Sequence, residues 1–433
     1  MEADLTEERW DKNVTFLIYL SIFVGSSLVF FQEPFEGYAH YIVYLMLLPS
    51  FVSRYGLPKT PFQILIFPLV VGVFQIMLGN NDPYMFFKIF GGVFLSVTFY
   101  HYVIEYYEFD IEKMFSLYLK WIYWASVIAI IQFVCYKINF QPGYDFSWLL
   151  NKGGNNISNE EDVIRISSFF VEPSQLGIML GPAVFVSITN IIRRKNYYYQ
   201  NHQNIIILIA LYLSRSSTGY IGLFFGLIIL GINLGNLIYL AVFLMLGFLG
   251  GLGLYNTVDE FKRRVDTSLG LWVDSDFDIK NVNTSSFVLF NNAHVAYTNL
   301  QEHPFFGTGL GSHPIAYDKY SYTKSIVKVK GIESNKKDAN SLLLRLMSET
   351  GLLGILAIFF LIFKCFVSND NTDDEHWIIS GGLLVIMLLY MLRQGNYFLN
   401  GFPFFVWLYY YTRVSYVKKV SENIETDTSL ANA

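Results

Sequence analysis

A succession of apolar runs, each near the length needed to cross a bilayer, constrains this chain more than any other feature. A hydrocarbon core about 30 Å thick takes ~20 helical residues. About twelve runs approach that length, at approximately 14–31, 38–53, 62–79, 84–104, 115–136, 167–192, 204–214, 218–233, 237–255, 341–364, 377–393 and 397–416. The seventh is short and reads as a partial span ending at Arg215. Hydrophobic residues make up 53% of the chain and charged ones 15%, with a mean hydropathy of +0.38. That composition belongs to a membrane-embedded class. The fold expected is an all-α integral membrane protein with about twelve transmembrane helices and a long external loop that contains short helices.

Orientation follows from the short connections. One set carries Arg54 and Lys59, then Lys113, then Arg193, Arg194 and Lys195, then Lys364, and finally Arg413, Lys418 and Lys419. The alternate connections near the start, QEPFEGYAHY and GNNDPY, contain no Lys or Arg. The positive-inside bias then places both termini in the cytoplasm, with the alternate loops on the external side. Trp10, Tyr38, Tyr41 and Trp377 read as interfacial anchors. No n-region, h-region and cleavage-site pattern marks a removed signal peptide.

Residues 1–255 are expected to hold helices one to nine, with an outer loop at 137–166. Residues 256–340 form the long external loop, and 341–417 hold the last three helices. Residues 418–433, ending SENIETDTSLANA, read as a disordered cytoplasmic tail. The long loop balances ten Lys/Arg against ten Asp/Glu, so it is no polybasic lipid-binding segment. Within it a helix is expected at 284–301, where Phe287, Phe290, His294, Tyr297 and Gln301 recur at helical spacing. No clear internal repeat supports an inverted-repeat transporter. Cys135 and Cys365 fall at span ends on opposite sides, and no Cys/His spacing suggests a metal. The net charge of −5 comes with no basic stripe for nucleic acid.

Against this background six arginines stand out: Arg165, Arg215, Arg263, Arg264, Arg345 and Arg393 all fall on the external side. The positive-inside bias disfavours them there, and a charge near hydrocarbon costs on the order of 2.5–3.5 kcal/mol at a helix centre. An anion on that face explains them.

Four segments carry the chemistry. In RISSFFVEPSQLG, Arg165 precedes Glu172, which stands before a proline suited to a first helical turn. Its plain reading is a capped helix start with a local ion pair. Its functional reading has Arg165 bind an anion while Glu172 orients it or handles a proton. LSRSSTG offers a guanidinium, hydroxyls and backbone N–H groups, the donors a phosphate takes; alternatively Arg215 snorkels to headgroups. FKRRVD places Arg263 and Arg264 after a span, where a basic pair also commonly touches lipid phosphates. Finally, the turn HPFFGTGLGSHP precedes DANSLLLRLMSETGLLG. There Asp338 and Asn340 lie at a helix mouth, while Arg345 and Glu349 share a helix face inside it, four residues apart. That pair is able simply to neutralise itself. Among the histidines His313 ranks first as a candidate catalytic group, because it follows the glycine turn.

Taken in order, these segments resemble the O-antigen polymerase and O-antigen ligase superfamily of bacterial envelope proteins. The resemblance covers nearly the whole chain. It rests on Arg165 to Glu172-Pro173, on Ser214-Arg215, on Pro304 with Gly307, Gly309 and Gly311, and on Asp338, Asn340, Glu349, Gly351 and Gly354. It implies a glycosyltransferase acting outside the cytoplasmic membrane on undecaprenyl-diphosphate-linked oligosaccharide, without a nucleotide sugar, metal or other cofactor. Membrane lipids and a chain-length regulator protein are the partners it implies. Arg165, Arg215, Arg264 and Arg345 are the expected diphosphate ligands, since guanidinium forks match its oxygens and stabilise the departing charge. Glu172, Asp338 and His313 are the candidates for the base that deprotonates the acceptor hydroxyl. The ligase branch typically carries a histidine at the mouth of the span after the long loop. Here that segment reads KKDANSLL, which favours a polymerase. The alternatives are an O-antigen ligase and a lipid-linked-glycan flippase, though a flippase needs charges lining a central cavity.

Overall fold

The computed structural model describes every residue except 1, 32–35, 151–156, 159–162, 236, 258, 274–283, 323–334, 370–374 and 432–433. Helices fall on all of the apolar runs. They are α1 (Glu2–Phe23), α2 (Ala39–Tyr55), α3 (Lys59–Met77), α4 (Pro83–Tyr106) and α5 (Ile111–Lys137), then, after a one-turn α6 (Gln141–Tyr144), α7 (Pro173–Arg193), α8 (Asn201–Ser214), α9 (Ser217–Asn233) and α10 (Leu237–Thr257). The long connection holds α11 (Asp259–Val273), α12 (Thr284–Glu302) and α13 (His313–Tyr320). It is followed by α14 (Leu342–Cys365), α15 (His376–Arg393) and α16 (Phe402–Ala431). The only strands among the described residues are Ile157–Ser158 and Val163–Ile164, paired antiparallel, so the fold is all-α. By length and composition seven helices, α3, α4, α5, α7, α10, α14 and α15, are fit to cross a membrane.

Burial ranks these helices. The apolar windows of α7 and α15 are 89% and 83% buried, whereas that of α10 is 6% buried. The first two are therefore the interior of the bundle and α10 its rim. Small residues let the inner helices approach: a Cβ on Gly222 of α9 would stand 2.8 Å from Leu389 of α15, and one on Gly181 of α7 3.2 Å from the same side chain. Gly177 of α7 lies against Ser216, which caps α9. Ser341, which caps α14, donates to the Met391 carbonyl near the end of α15 at 2.6 Å. The starts of α7, α9 and α14 and the end of α15 thus gather at one end of the bundle. At the other end the Arg193 guanidinium lies over the Trp377 ring at 5.2 Å.

Several boundaries differ from expectation, each for a local reason. The first helix ends at Phe23, not 31, and the chain leaves it through a turn in which the Ser27 N–H donates to the Val24 carbonyl at 2.9 Å. The segment at 167–172 is not helical; Ser168 takes φ 54, and α7 begins only at Pro173. The last helix starts at Phe402, after Asn400 and Gly401 both adopt positive φ. It runs to Ala431, through the stretch expected to be a disordered tail. Tyr38 and Trp377, expected as interfacial anchors, are buried in the bundle.

Helix α12 matches the expected 284–301 closely, and its buried face takes in only part of the aromatic stripe. Tyr297 is 56% exposed, while Asn291, Asn292, Val295, Ala296 and Asn299 are buried. The reason is polar: the Asn299 amide donates to the Ser348 carbonyl at 2.8 Å and is within 3.1 Å of the Thr308 hydroxyl. Buried polar groups must be paired, and here three asparagines join Phe287 on the buried face while Tyr297 stays outside. Asn299→Ala should therefore lower stability by about 1–3 kcal/mol through orphaned acceptors. Tyr297→Ala should change it by less than about 0.5 kcal/mol. Thermal melting of both variants in one detergent checks the assignment, and equal losses would refute it.

Candidate functional site

The glycine-rich turn and α14 form one unit. Gly351 interrupts α14 with φ 61 and ψ −155, a conformation that costs glycine little and side-chain-bearing residues much. The break frees backbone groups, and the turn takes them up. Thr308 and Gly309 N–H groups donate to the Ser348 and Glu349 carbonyls at 3.3 and 2.8 Å. In return the N–H groups of Leu352 and Leu353 donate to the Pro304 and Phe305 carbonyls at 2.8 and 3.1 Å. Gly307, at φ 61, comes so close that a Cβ there would lie 2.5 Å from the Glu349 carbonyl carbon. Ser348 follows the helix start by six residues, so the turn lies roughly 10 Å down the helix from its mouth. Its far side rests on α3 and α4: Asn81 donates to the Leu310 carbonyl at 2.9 Å.

The Arg345–Glu349 pair sits at the centre of this unit. Arg345 is 2% exposed and Glu349 fully buried, with Nε to Oε1 at 3.0 Å. Arg345 Nη1 also donates to the Gly395 carbonyl at 2.9 Å, and its guanidinium lies 4.5 Å from the Tyr397 ring centre. Glu349 accepts from the Tyr397 hydroxyl at 2.8 Å and from the His313 backbone N–H at 3.3 Å. The pair joins α14, the α15–α16 connection and the start of α13. Arg345 was expected to grip a diphosphate; its donors face Glu349, a carbonyl and a ring instead. Removing one partner of a buried pair leaves an uncompensated charge worth about 3–5 kcal/mol. Glu349→Gln or Arg345→Met should therefore sharply lower the yield of folded protein. The double variant Arg345→Met, Glu349→Leu should recover part of that loss, as size-exclusion profiles and melting temperatures would show.

His313, the expected catalytic imidazole, is fully buried. Its Nε2 lies 3.0 Å from Asn292 Oδ1; because Asn292 Nδ2 donates to the Val288 carbonyl, the imidazole is the donor. Burial, reinforced by the Arg345 charge, lowers its pKa from 6.5 to about 3. It is a neutral, enclosed group and does not reach an open surface. Because its folded pKa lies below the unfolded one, its contribution to stability is complete above pH 6.5 and is lost as pH falls toward 3. Melting temperature should decline between pH 7 and pH 5, and His313→Gln should flatten that decline. An identical slope in the variant would refute the buried neutral state.

A different pair of arginines is brought together at the same end of the bundle. Arg165 Nη2 donates to the Arg215 carbonyl at 3.3 Å. Arg215 is exposed, in left-handed conformation (φ 46, ψ 33), and closes α8. The adjacent Ser216 caps α9 by accepting from the Gly219 N–H at 3.2 Å. The positive start of α9 therefore follows directly on Arg215, whose backbone holds the Arg165 guanidinium, an arrangement suited to an anion. Glu172 is exposed at the start of α7, with its carboxylate accepting from the Ser174 hydroxyl.

Asp338 is partly buried before α14, and its carboxylate accepts from the Asn335 amide and the Asn340 N–H, each at 3.1 Å. Its carbonyl faces Gly395, where a Cβ would stand 1.5 Å away. Arg263 is exposed on α11, and the Arg264 side chain lies outside the described residues. Among the described residues no group of three or more His, Cys, Asp or Glu could hold a metal ion. Reading the sequence missed Gln132, Asn292, Asn299 and Tyr397. The amides carried a signal, as polar groups in largely apolar helices, but nothing marked Tyr397.

Residues 204–359 match the family described as O-antigen ligase. That span runs from the helix ending at Arg215 to the lower part of the broken α14, so it contains the glycine turn and the Arg345–Glu349 pair. The family covers O-antigen ligases and polymerases, membrane glycosyltransferases that act on lipid-linked oligosaccharides. No curated protein matches the chain.

Proposed function

We propose that this member of the O-antigen polymerase and ligase superfamily is a polymerase. It transfers a growing glycan from undecaprenyl diphosphate to the hydroxyl of an acceptor sugar at the external face of a bacterial inner membrane. The observation that carries this reading is the contact of Arg165 with the Arg215 carbonyl, 3.3 Å, beside the start of α9. Two segments fifty residues apart meet here, the Arg165 fork lying against the Arg215 backbone, and a lipid diphosphate would present its oxygens to both arginines.

In the transfer, the acceptor oxygen bonds to the anomeric carbon while the bond from that carbon to the diphosphate breaks. Negative charge then grows on the leaving diphosphate, and the guanidiniums of Arg165 and Arg215 stabilise it. The acceptor proton passes to a carboxylate, for which exposed Glu172 and partly buried Asp338 are the candidates. Arg345 and His313 act at a distance, by holding the glycine turn and the α15–α16 connection in place. Arg264 remains a candidate second contact to the diphosphate.

The polymerase reading also draws on the segment KKDANSLL, which has no histidine at the mouth of α14. The family description favours a ligase as the second reading. A deletion strain separates them: a polymerase loss leaves surface glycan of single repeat units, and a ligase loss leaves intact polymer unattached. For the site itself, Arg215→Lys keeps the charge but not the fork. It should reduce polymerisation roughly 10- to 100-fold, the value of a charge-assisted hydrogen bond, at unchanged expression. Full-length polymer from that variant would leave Arg215 as a snorkelling residue. Glu172→Gln and Asp338→Asn, compared at matched expression, identify the proton acceptor; near-normal polymer from both excludes the two carboxylates.

A further inference from the structure

Gln132 lies within the apolar helix α5 and is fully buried. An amide in such a place is costly unless every polar atom is paired. Here both ends are used. Its Oε1 accepts from the N–H groups of Ser167 and Ser168, both at 3.0 Å, and its Nε2 donates to the Tyr144 carbonyl at 2.9 Å. Successive N–H groups converging on one oxygen form a concave nest that ordinarily receives an anion or carbonyl. Ser168 completes it by adopting φ 54, an uncommon state for serine.

We infer that Gln132 is the positioning residue for Arg165, fixing the register of the segment that delivers this guanidinium to Arg215. The inference rests on the reading of Arg165 and Arg215 as the diphosphate site. Ile164 and Ile166 are buried, with Arg165 half-exposed between them. This is a two-residue alternation, so a slip of one position exchanges the arginine with an isoleucine. Among the described residues the adjoining strand pairing joins Ile157 with Ile164 and Ser158 with Val163, and a two-residue ladder specifies register weakly. Immediately downstream, the Gln132 oxygen engages two particular N–H groups, and the Ser27 hydroxyl adds a bond to the Phe169 carbonyl at 2.7 Å. The far end of the Gln132 amide ties the same segment to the turn at Tyr144. A helix side chain thereby reads the backbone of the loop and sets which residue faces Arg215.

The test is a mutant cycle on the full-length protein in proteoliposomes, with a lipid-linked repeat unit as donor and chain elongation as the readout. Gln132→Met keeps the volume and removes both polar functions. Its kcat/KM should fall about 10- to 100-fold, as expected for misplacing a group that meets the reacting phosphate. Arg165→Lys should fall comparably, and the double variant should be no worse than Arg165→Lys alone, since Gln132 acts only through Arg165. Gln132→Glu, whose protonated carboxyl supplies the same acceptor and donor, should recover activity as pH is lowered. Should Gln132→Met fail to accumulate, Gln132→Asn, which withdraws the amide by one methylene, takes its place in the cycle. Losses that multiply in the double variant, or a Gln132 variant with wild-type kcat/KM, overturn the positioning role. Full activity in Arg165→Lys overturns the diphosphate reading itself, and the inference with it.

Discussion

An arginine and a glutamate with almost no access to solvent, Arg345 and Glu349, hold α14, the α15–α16 connection and the start of α13 together. Desolvating two charges costs several kcal/mol per ion, and the attraction between them repays it only when the remaining donors and acceptors are also met. They are met here by the Gly395 carbonyl, the Tyr397 hydroxyl and the His313 backbone N–H. Two of these come from the α15–α16 connection and one from the start of α13, so satisfying the pair ties both segments to α14. The break at Gly351 depends on it too. The freed groups of α14 find partners in the glycine turn only while the turn is held against Glu349.

This arrangement divides the arginines by physical role. Arg345 is surrounded by compensating partners, and its charge is spent on architecture. Arg215 is exposed and Arg165 half-exposed, and they meet beside the start of a helix, where further positive potential is gathered. The distinction matters for reading membrane enzymes of this kind. A cation in an apolar helix signals that something anionic is near, but that anion is as readily a carboxylate one turn away as a substrate.

Much of the site was legible from residue spacing. The Arg345–Glu349 pairing follows from a four-residue interval on a helix, and the glycine turn was recognisable as a place of close backbone approach. Helix α12 was legible in extent but not in orientation. Its aromatic stripe has the right period to be a buried face, yet the asparagines have it as well. Which face is buried depends on the acceptors that α14 and the turn present, and those acceptors exist only because Gly351 breaks a helix elsewhere in the chain. The surroundings of His313 were not legible for a related reason: a histidine after a glycine turn looks aimed outward, and only the packing shows it buried with its ring against Asn292.

The sequence alone determined the all-α class and where along the chain the apolar helices fall, since hydrophobic length is a local property set by bilayer thickness. It also set the order of charged and uncharged connections along the chain, from which an orientation is read. Tertiary structure decided what each cation faces. Arg165 reaches Arg215 because Gln132, on a third segment, selects the register of the loop between them, and Arg345 is withdrawn because Tyr397 and Gly395 arrive from a fourth. Hydrogen bonds between residues far apart in the chain leave no periodic trace in sequence, and only the packed bundle brings their partners within 3 Å or so.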